Sequence, residues 1–343
     1  MGRSTIYNRI TSETLISNIL PENKILLDDF VEYLKSIDRS SGTIYQYTQD
    51  LKVFFVWNLE NNQNKKFIDI TKRDFTRFQN HAINTWNWST ARLARTKSTI
   101  SSLSNFIENI LDEEDEFKDY RSVVRKIESP ARSVAREKSV FSEDELQKLL
   151  DTLVLQNCYR QAACVALAMY SGRRKSELLR FKTSYFSEDT TIFGSLYKTP
   201  ELVTSKGRGS KGKQMYMYVL KHPFDKYLNL WMDFRKQNGI QSEWLFPNMR
   251  DSSKPMNIST LDDWSNKFTN ILNKDFYWHS LRHFMTTQLV KSNVPSNVIQ
   301  GLIGWESADM VNLYTDLTID DVLGNYFDEN GIKDIKHAGL SSL

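Results

Sequence analysis

The sequence is poor in cysteine and has no long apolar run. Its two cysteines, Cys158 and Cys164, lie six positions apart in one predicted helix and on different faces of it, so we expect no disulfide between them. Such thiols favour a reduced, intracellular compartment. No stretch of 18 apolar residues predicts a membrane-spanning helix, and residues 1–17 lack the apolar core of a secretory signal. We therefore expect a cytoplasmic protein that does not enter a membrane.

An excess of charge of one sign and cofactor-binding motifs are also missing. The 45 Lys+Arg residues barely outnumber the 42 Asp+Glu residues, so the total charge does not identify a polyanionic partner, and only its distribution can. No glycine-rich phosphate loop opens a predicted helix, and no Cys, His or carboxylate cluster has metal-ligand spacing. We expect no metal, no nucleotide cofactor and no small-molecule substrate.

What remains is a chain of 343 residues with 40% hydrophobic and 25% charged residues, which is enough for two globular domains. Apolar residues at helical spacing predict a small all-α domain over 22–112, after an N-terminal helical arm at 1–21. Its helices are predicted over these ranges: 24–34, 43–59, 69–83 and 88–111. Residues 113–140 are rich in lysine and arginine and have few apolar positions, which indicates a basic linker.

Basic residues are concentrated in the first half of the fourth predicted helix. Taken alone, such residues are more often a solvated helix face than a surface that contacts phosphates, and the phosphate-contacting alternative gains support only from the motifs of the second domain. The candidate DNA contacts in this domain are Thr43, Arg92, Arg95 and Lys97.

The second predicted domain spans 141–317 and opens with a capping box, Ser142 with Glu145. A core helix is predicted over 159–170. Strands are predicted over 186–192, 196–204 and 214–220, and the last two flank a cationic turn at 205–213. Further helices are predicted over 222–238, 260–273, 279–292, 295–303 and 307–316. The fold class is therefore mainly α with a small antiparallel sheet, as a helical domain followed by a mixed α+β domain.

Three motifs in this domain share an order and a spacing. They are Gly172-Arg173-Arg174-Lys175-Ser176-Glu177-Leu178, then His279-Ser280-Leu281-Arg282-His283, and finally Leu302-Ile303-Gly304-Trp305 with Tyr314 nine residues on. Each residue by itself is ordinary. Together the motifs resemble the tyrosine recombinase (phage integrase) family, over about residues 140–320, and the helical domain agrees with that family's core-binding domain in size and helix content.

The resemblance implies site-specific DNA recombination through a 3′-phosphotyrosine, without metal or ATP. It implies that Arg174, His279, Arg282 and Trp305 bind the phosphodiester, that Tyr314 is the nucleophile and that Lys206 is the general acid. Glu177 would orient Arg174 or His279. Planar guanidinium forks suit the non-bridging oxygens of a phosphate, and a phenol near cations can attack it.

The chain departs from the family pattern at several positions, one of which is Trp305, where the family more commonly has a histidine. Arg173 and Lys175 stand where the family usually has apolar residues, and the frame of Gly172 with Ser176-Glu177-Leu178 favours Arg174 as the working arginine. The cationic turn offers three lysines, Lys206, Lys211 and Lys213, of which Lys206 ends the predicted strand and is favoured. Arg208 and Lys211 are the candidate DNA contacts of the turn.

Residues 318–343 form a tail that either docks on a neighbouring protomer or folds back on its own domain. The implied partners are double-stranded DNA and further copies of the chain, a dimer on one site and a tetramer in synapsis. A rival hypothesis is a repressor or architectural DNA-binding protein that keeps the fold without strand exchange. A second is a hairpin telomere resolvase or type IB topoisomerase, for which the chain is small.

Overall fold

The computed structural model describes residues 6–130, 141–205, 207, 209, 211–305, 307, 327–328 and 331–332. Contacts within the chain divide it into two compact units. The helical unit comprises residues 1–137 with 206–213, and the mixed unit comprises residues 138–205 with 214–343. The predicted domain boundaries remain predictions.

The helical unit is built from helices whose starts are set by serine, threonine and proline. Ser40 caps the helix that begins at Ser41 through its hydroxyl, and Thr71 forms a capping box with Asp74 at the start of the helix that begins at Lys72. Pro21 occupies the first turn of its own helix. Ser41 and Gly42, which interrupt the apolar pattern, lie in the first turn of the helix that Ser40 caps. The helices are α1 (Ile6–Ile10), α2 (Glu13–Ser17), α3 (Pro21–Ser36), α4 (Ser41–Asn61), α5 (Lys72–Asn84) and α6 (Thr90–Ile110).

The core of the helical unit is aromatic. Phe54 of α4 and Phe78 of α5 meet edge to face with ring centroids 5.0 Å apart, a geometry that adds to their burial. The segment after α6 packs on the same core, since Tyr120 and Val124 are buried and the Tyr120 hydroxyl lies 2.9 Å from Ser104 Oγ. The first part of the predicted linker therefore packs on the helical unit, and residues 131–140 lie outside the described ranges.

The mixed unit is organised around a central helix, α8 (Tyr159–Ser171). Its apolar and small residues are buried on nearly all sides, and three further helices of the unit, α7 (Glu143–Leu155), α10 (Lys221–Gln237) and α12 (Trp278–Lys291), pack against it. The helices of this unit are α7 (Glu143–Leu155), α8 (Tyr159–Ser171), α9 (Lys175–Leu178), α10 (Lys221–Gln237), α11 (Ile258–Leu272), α12 (Trp278–Lys291) and α13 (Ser296–Ile303). The predicted helix over 307–316 falls almost wholly outside the described residues.

The strands are shorter than the sequence predicts. The predicted strand 196–204 is two strands in different sheets, because Pro200 lacks the N–H that a ladder needs and interrupts it. The observed strands are β1 (Thr191–Ile192), β2 (Leu196–Lys198), β3 (Val203–Ser205), β4 (Lys213–Met215), β5 (Tyr218–Leu220), β6 (Phe327–Asp328) and β7 (Gly331–Ile332). Antiparallel sheets form in the order β1-β2-β5, with Tyr197 opposite Val219, and from the pairs β3-β4 and β6-β7.

Most of the predicted tail, 318–343, lies outside the described residues, which include only the short pair β6 and β7. Within the described part of the chain, none of the helices has the length and apolar character needed to cross a membrane.

Candidate functional site

The site is built around the corner where α8 ends. Gly172 closes the helix in the left-handed conformation, with φ +59°. A Cβ at this position would lie 2.4 Å from Ile303 Cδ1 and 3.2 Å from Met285 Cγ. Both the backbone angle and the close approach of α13 therefore require glycine here.

Arg174 follows this corner as the N-cap of α9. Its Nη1 lies 3.0 Å from Glu177 Oε1 and 3.4 Å from Ser205 Oγ, and its backbone N–H donates to Glu177 Oε2 at 3.0 Å. The side chain keeps 27% of its exposure. Glu177 thus orients Arg174 through these two bonds and leaves part of the guanidinium accessible.

Glu177 is almost fully buried, at 1% exposure, but it stays charged. Burial alone would raise the pKa of its carboxyl group. Hydrogen bonds from Ser205 Oγ, at 2.6 Å, and from the Arg174 backbone, with the positive charges of Arg173 and Arg174, instead hold that pKa below its usual value. Ser205 ends β3, directly before Lys206, and sequence reasoning missed it because a serine in a strand carries no distinctive signal.

Arg173 and Arg174 have different surroundings. Arg173 is 1% exposed, and its guanidinium bonds to main-chain carbonyls at the end of α13. It occupies an interior position, as the apolar residue of the family pattern would. Of the two neighbours, Arg174 is the one that remains accessible to a ligand.

Arg282 and Trp305 are brought together from α12 and from the end of α13. Arg282 is 1% exposed, its Nη1 donates to the Gly172 carbonyl at 2.8 Å, and its Cζ lies 5.1 Å from the centre of the Trp305 ring. A guanidinium over an indole face is attracted by the ring quadrupole. Trp305 is 4% exposed and follows Gly304, which ends α13 with φ +80°.

His279 lies on the first turn of α12, one turn before Arg282. His279 keeps part of its surface exposed, but one side of its ring is buried against the protein, which disfavours the charged form of the imidazole. Burial of that side lowers the pKa of His279 to about 4, with further lowering from the positive charges of His283, Arg282 and Arg174. The imidazole is therefore neutral at physiological pH, and the charge of Arg174 acts on it across the site.

The structure brings Arg174, Glu177, His279, Arg282 and Trp305 into one region of the mixed unit. The remaining predicted site residues, Lys206, Arg208 and Tyr314, lie outside the described residues. Lys211 is described and exposed.

In the helical unit, the predicted DNA contacts are arranged by a buried carboxylate that sequence reasoning missed. Asp50 is 0% exposed and accepts from Arg95 Nε and Nη2, both at 3.1 Å. Arg92 Nη2 lies 3.8 Å from the same carboxylate, and its Cζ lies 4.4 Å from the centre of the Trp88 ring. The only sequence signal was an acidic residue three positions after Tyr47 and four before Phe54, on the apolar side of α4.

The other two predicted contacts of this unit are also held in place. Lys97 Nζ donates to the carbonyl of Ile127 and to Ser129 Oγ. The Thr43 hydroxyl lies 2.9 Å from Ser40 Oγ in the first turn of α4. These side chains are fixed by the protein itself, which lowers the entropic cost of contacting a ligand.

A helical unit, followed by a mixed unit in which two arginines, a histidine and a tryptophan converge, defines a tyrosine-type DNA strand-exchange enzyme. Comparison with models of known protein families supports this class. The model of the phage integrase family matches residues 139–320, and that of the phage integrase N-terminal SAM-like domain matches residues 26–116. The chain belongs to the phage integrase family and is a tyrosine recombinase, an enzyme of site-specific DNA recombination.

Proteins of similar sequence carry recombinase names. The SPbeta prophage-derived recombinase-like protein YomM of Bacillus subtilis is 28% identical, covering 75% of this chain and 74% of its own. Tyrosine recombinase XerS of Lactococcus lactis subsp. cremoris is 24% identical over 88% of this chain and 95% of its own. The rival hypothesis of a repressor is not favoured by these comparisons.

Solved structures share the fold. A lambda integrase (75-356) dimer bound to a COC′ core site matches with a TM-score of 0.62 and 17% identity, covering 90% of this chain and 99% of that one. XerH recombinase bound to difH substrate, in a pre-cleavage complex, matches with a TM-score of 0.59 and 18% identity over 82% of this chain and 78% of that one.

Proposed function

We propose that this recombinase cleaves and rejoins double-stranded DNA at a specific site by using Tyr314 as the nucleophile. The observation that carries the proposal is the convergence of Arg174, His279, Arg282 and Trp305 around one corner of the mixed unit. This corner places two guanidinium groups, a neutral imidazole and an indole in one region.

The two arginines would divide the work on the phosphate. Arg174, with an accessible guanidinium, contacts a non-bridging oxygen directly. Arg282, held by the Gly172 carbonyl and the Trp305 ring, supplies a fixed positive charge in a low-dielectric setting. Charge fixed before the reaction stabilises the pentacovalent transition state without reorganisation.

His279 and Trp305 would add hydrogen bonds to the same phosphate. Because the pKa of His279 is about 4, the imidazole enters the reaction neutral and can donate through one nitrogen and accept through the other. The indole N–H of Trp305 can only donate.

The proposed covalent step uses Tyr314 and Lys206. The Tyr314 phenol gives up its proton to water or to the accepting nitrogen of His279, its oxygen forms a bond to phosphorus, and the bond from phosphorus to the 5′ oxygen breaks. Lys206 gives a proton to that leaving oxygen as the general acid. The 3′-phosphotyrosine stores the bond energy, so the 5′ hydroxyl of another strand can reverse the step and rejoin the DNA.

The helical unit would hold the duplex through Thr43, Arg92, Arg95 and Lys97, while Arg208 and Lys211 contact it from the turn. Solved relatives of this fold include a lambda integrase dimer on a core site and a tetramer on a Holliday junction. We propose the same assembly here, with two copies on one site and four in synapsis, on nucleoid DNA in the cytoplasm.

A covalent-adduct assay tests the proposal. A duplex that the protein selects from a random-sequence library is nicked beside the candidate cleavage position and incubated with the protein. A denaturing gel should then show a protein–DNA adduct with the native chain and none with Tyr314→Phe, which removes only one oxygen.

The two outcomes separate the hypotheses. An adduct that persists in Tyr314→Phe would assign the nucleophile to another residue. Tight, sequence-specific binding with no adduct from the native chain would instead support a repressor or architectural protein.

A further inference from the structure

Arg173 makes contacts that the proposed phosphate chemistry does not use. Its Nη2 donates to the Leu302 carbonyl, and its Nη1 lies 3.5 Å from the Ile303 carbonyl and 3.5 Å from Met215 Sδ. The guanidinium therefore joins the corner before Arg174 to the end of α13 and to β4.

The carbonyls that Arg173 reaches are ones that α13 cannot satisfy by itself. The last four carbonyls of a helix have no partner within it. The backbone N–H groups of Gly304 and Trp305 both donate to the Gln300 carbonyl, at 2.8 and 3.1 Å. Arg173 donates to the two carbonyls nearest the end, and a cation at a helix C-terminus is favoured by the helix dipole as well.

This helix end carries Trp305. Gly304 turns the chain with φ +80°, and a Cβ there would lie 2.5 Å from Met215 Cε and 3.1 Å from Arg173 Nη1. The turn is therefore packed directly against the guanidinium. Trp305 comes next and stacks with Arg282, whose own Nη1 bonds the carbonyl of Gly172.

We propose that Arg173 is a positioning residue for DNA cleavage: it clamps the end of α13 to the Arg174 corner and so holds Trp305 against Arg282. The proposal rests on the proposed function of this site. It assigns a role to a residue that stands where the family pattern has an apolar one.

The charge of the clamp is stable at physiological pH. Burial lowers the pKa of Arg173 to about 10, with a further lowering from Arg174 that the negative charge of Glu177 opposes. The group therefore remains protonated near pH 7, where it keeps all its donors.

The chain offers a matched control for a purely structural role. Arg235 of α10 is also buried, at 4% exposure, and also bonds main-chain carbonyls: those of Ser242, Trp244 and Leu245, at 2.7 to 3.1 Å. These contacts connect parts of the fold that carry none of the site residues. Arg235→Met should therefore lower stability and leave the cleavage rate of the folded protein unchanged.

The test compares single-turnover cleavage of the nicked duplex at saturating protein for the native chain, Arg173→Met, Arg173→Lys and Arg235→Met. Circular dichroism measures the folded fraction, and a binding titration measures the DNA affinity. Arg173→Met fills similar space without donors and should slow cleavage by about 10- to 100-fold, because misplacement by about 1 Å can cost that much. Its affinity for DNA should change by less than about threefold, and Arg173→Lys should recover part of the rate.

A double-mutant cycle identifies the route of the effect. If Arg173 acts through Trp305, then adding Arg173→Met to Trp305→Phe should slow cleavage little further. Multiplicative slowing would overturn the proposal, as would native cleavage by folded Arg173→Met or equal slowing in Arg235→Met. If Arg173→Met does not fold, the same cycle is run with Arg173→Lys. A native chain that forms no adduct would overturn the proposed function itself, whereas a cleaving native chain with unaffected Arg173 variants would overturn only the clamp.

Discussion

Each unit of the molecule contains a buried carboxylate that organises arginines, but the two carboxylates hold them differently. In the helical unit, Asp50 binds the side chain of Arg95 through two nitrogens, Nε and Nη2. In the mixed unit, Glu177 binds Arg174 through one side-chain nitrogen, and its other oxygen accepts from the backbone N–H.

The difference indicates what each arginine is for. A bidentate pair offsets most of the guanidinium charge and fixes the side chain as part of the fold. A single side-chain bond with a backbone anchor fixes the loop, while much of the fork is left for an incoming phosphate. Under the proposed function, the part of Arg95 that stays exposed contributes to DNA affinity, and Arg174 acts in the reaction.

The largest expected effect is the loss of cleavage rate when Arg174 is replaced. Arg174→Gln should slow single-turnover cleavage by about 100- to 1,000-fold, as loss of one fixed transition-state donor does. Lys175→Gln is the matched control, because it removes the same charge one residue along and breaks the ion pair with Asp262. Equal slowing in both variants would mean that only the net charge of the loop matters.

Removal of the buried carboxylate of the helical unit should act on stability. Asp50→Ala leaves Arg95 and Arg92 without their counter-charge and should lower the free energy of unfolding by about 2 kcal/mol. Thermal unfolding measures the change, with Asp28→Ala, an exposed acidic residue of α3, as the control. A melting temperature equal to that of the native chain would show that the pair with Asp50 contributes no stability.

A smaller effect is expected from the arginine that Asp50 holds. Arg95→Gln should weaken DNA binding and reduce the slope of log K against log salt by about 1, because one phosphate contact is lost. Cleavage at saturating protein should stay at the native rate. Lys35→Gln, an exposed residue of α3 paired with Glu32, is the control, and an unchanged slope for Arg95→Gln would remove Arg95 from the DNA-binding surface.

The last comparison concerns pH. In the unfolded chain, His279 takes up a proton near its ordinary pKa of 6.5, whereas in the folded protein its pKa is about 4. Protonation therefore favours the unfolded state, and stability falls as the pH drops from 6.5 towards 4. The melting temperature of the native chain should decrease more between pH 7 and pH 5 than that of His279→Gln. Identical decreases would show that His279 titrates normally.

The fold class and the order of the helices could be predicted from the sequence, because apolar spacing and caps such as Ser142 are local signals. The strands could not be bounded in this way. Two- and three-residue strands hold no full period, and their pairing depends on tertiary contacts that alternation does not encode. Pro200, which separates β2 from β3, was the available sign of a break.

The site residues show the same distinction between local signals and contacts that are distant in the sequence. Residues with a distinctive type at a fixed spacing, such as His279 with Arg282, were recognisable in the sequence. Asp50, Ser205 and the role of Arg173 were not, because each depends on a partner that is far away in the sequence. Arg173 and Leu302 are joined only by the packing of α13 on the corner after α8.

The left-handed turn at Gly304 also sets the length of a tether. Trp305 is anchored, and Tyr314 is the ninth residue after it. A fully extended chain spans at most about 3.3–3.6 Å per residue, so the Cα atom of Tyr314 can lie no further than about 32 Å from that of Trp305. That radius includes the corner that carries Arg174 in the same copy, because Arg173 bonds the end of α13 directly before Trp305. The length of the chain therefore allows Tyr314 to reach a phosphate bound beside Arg174.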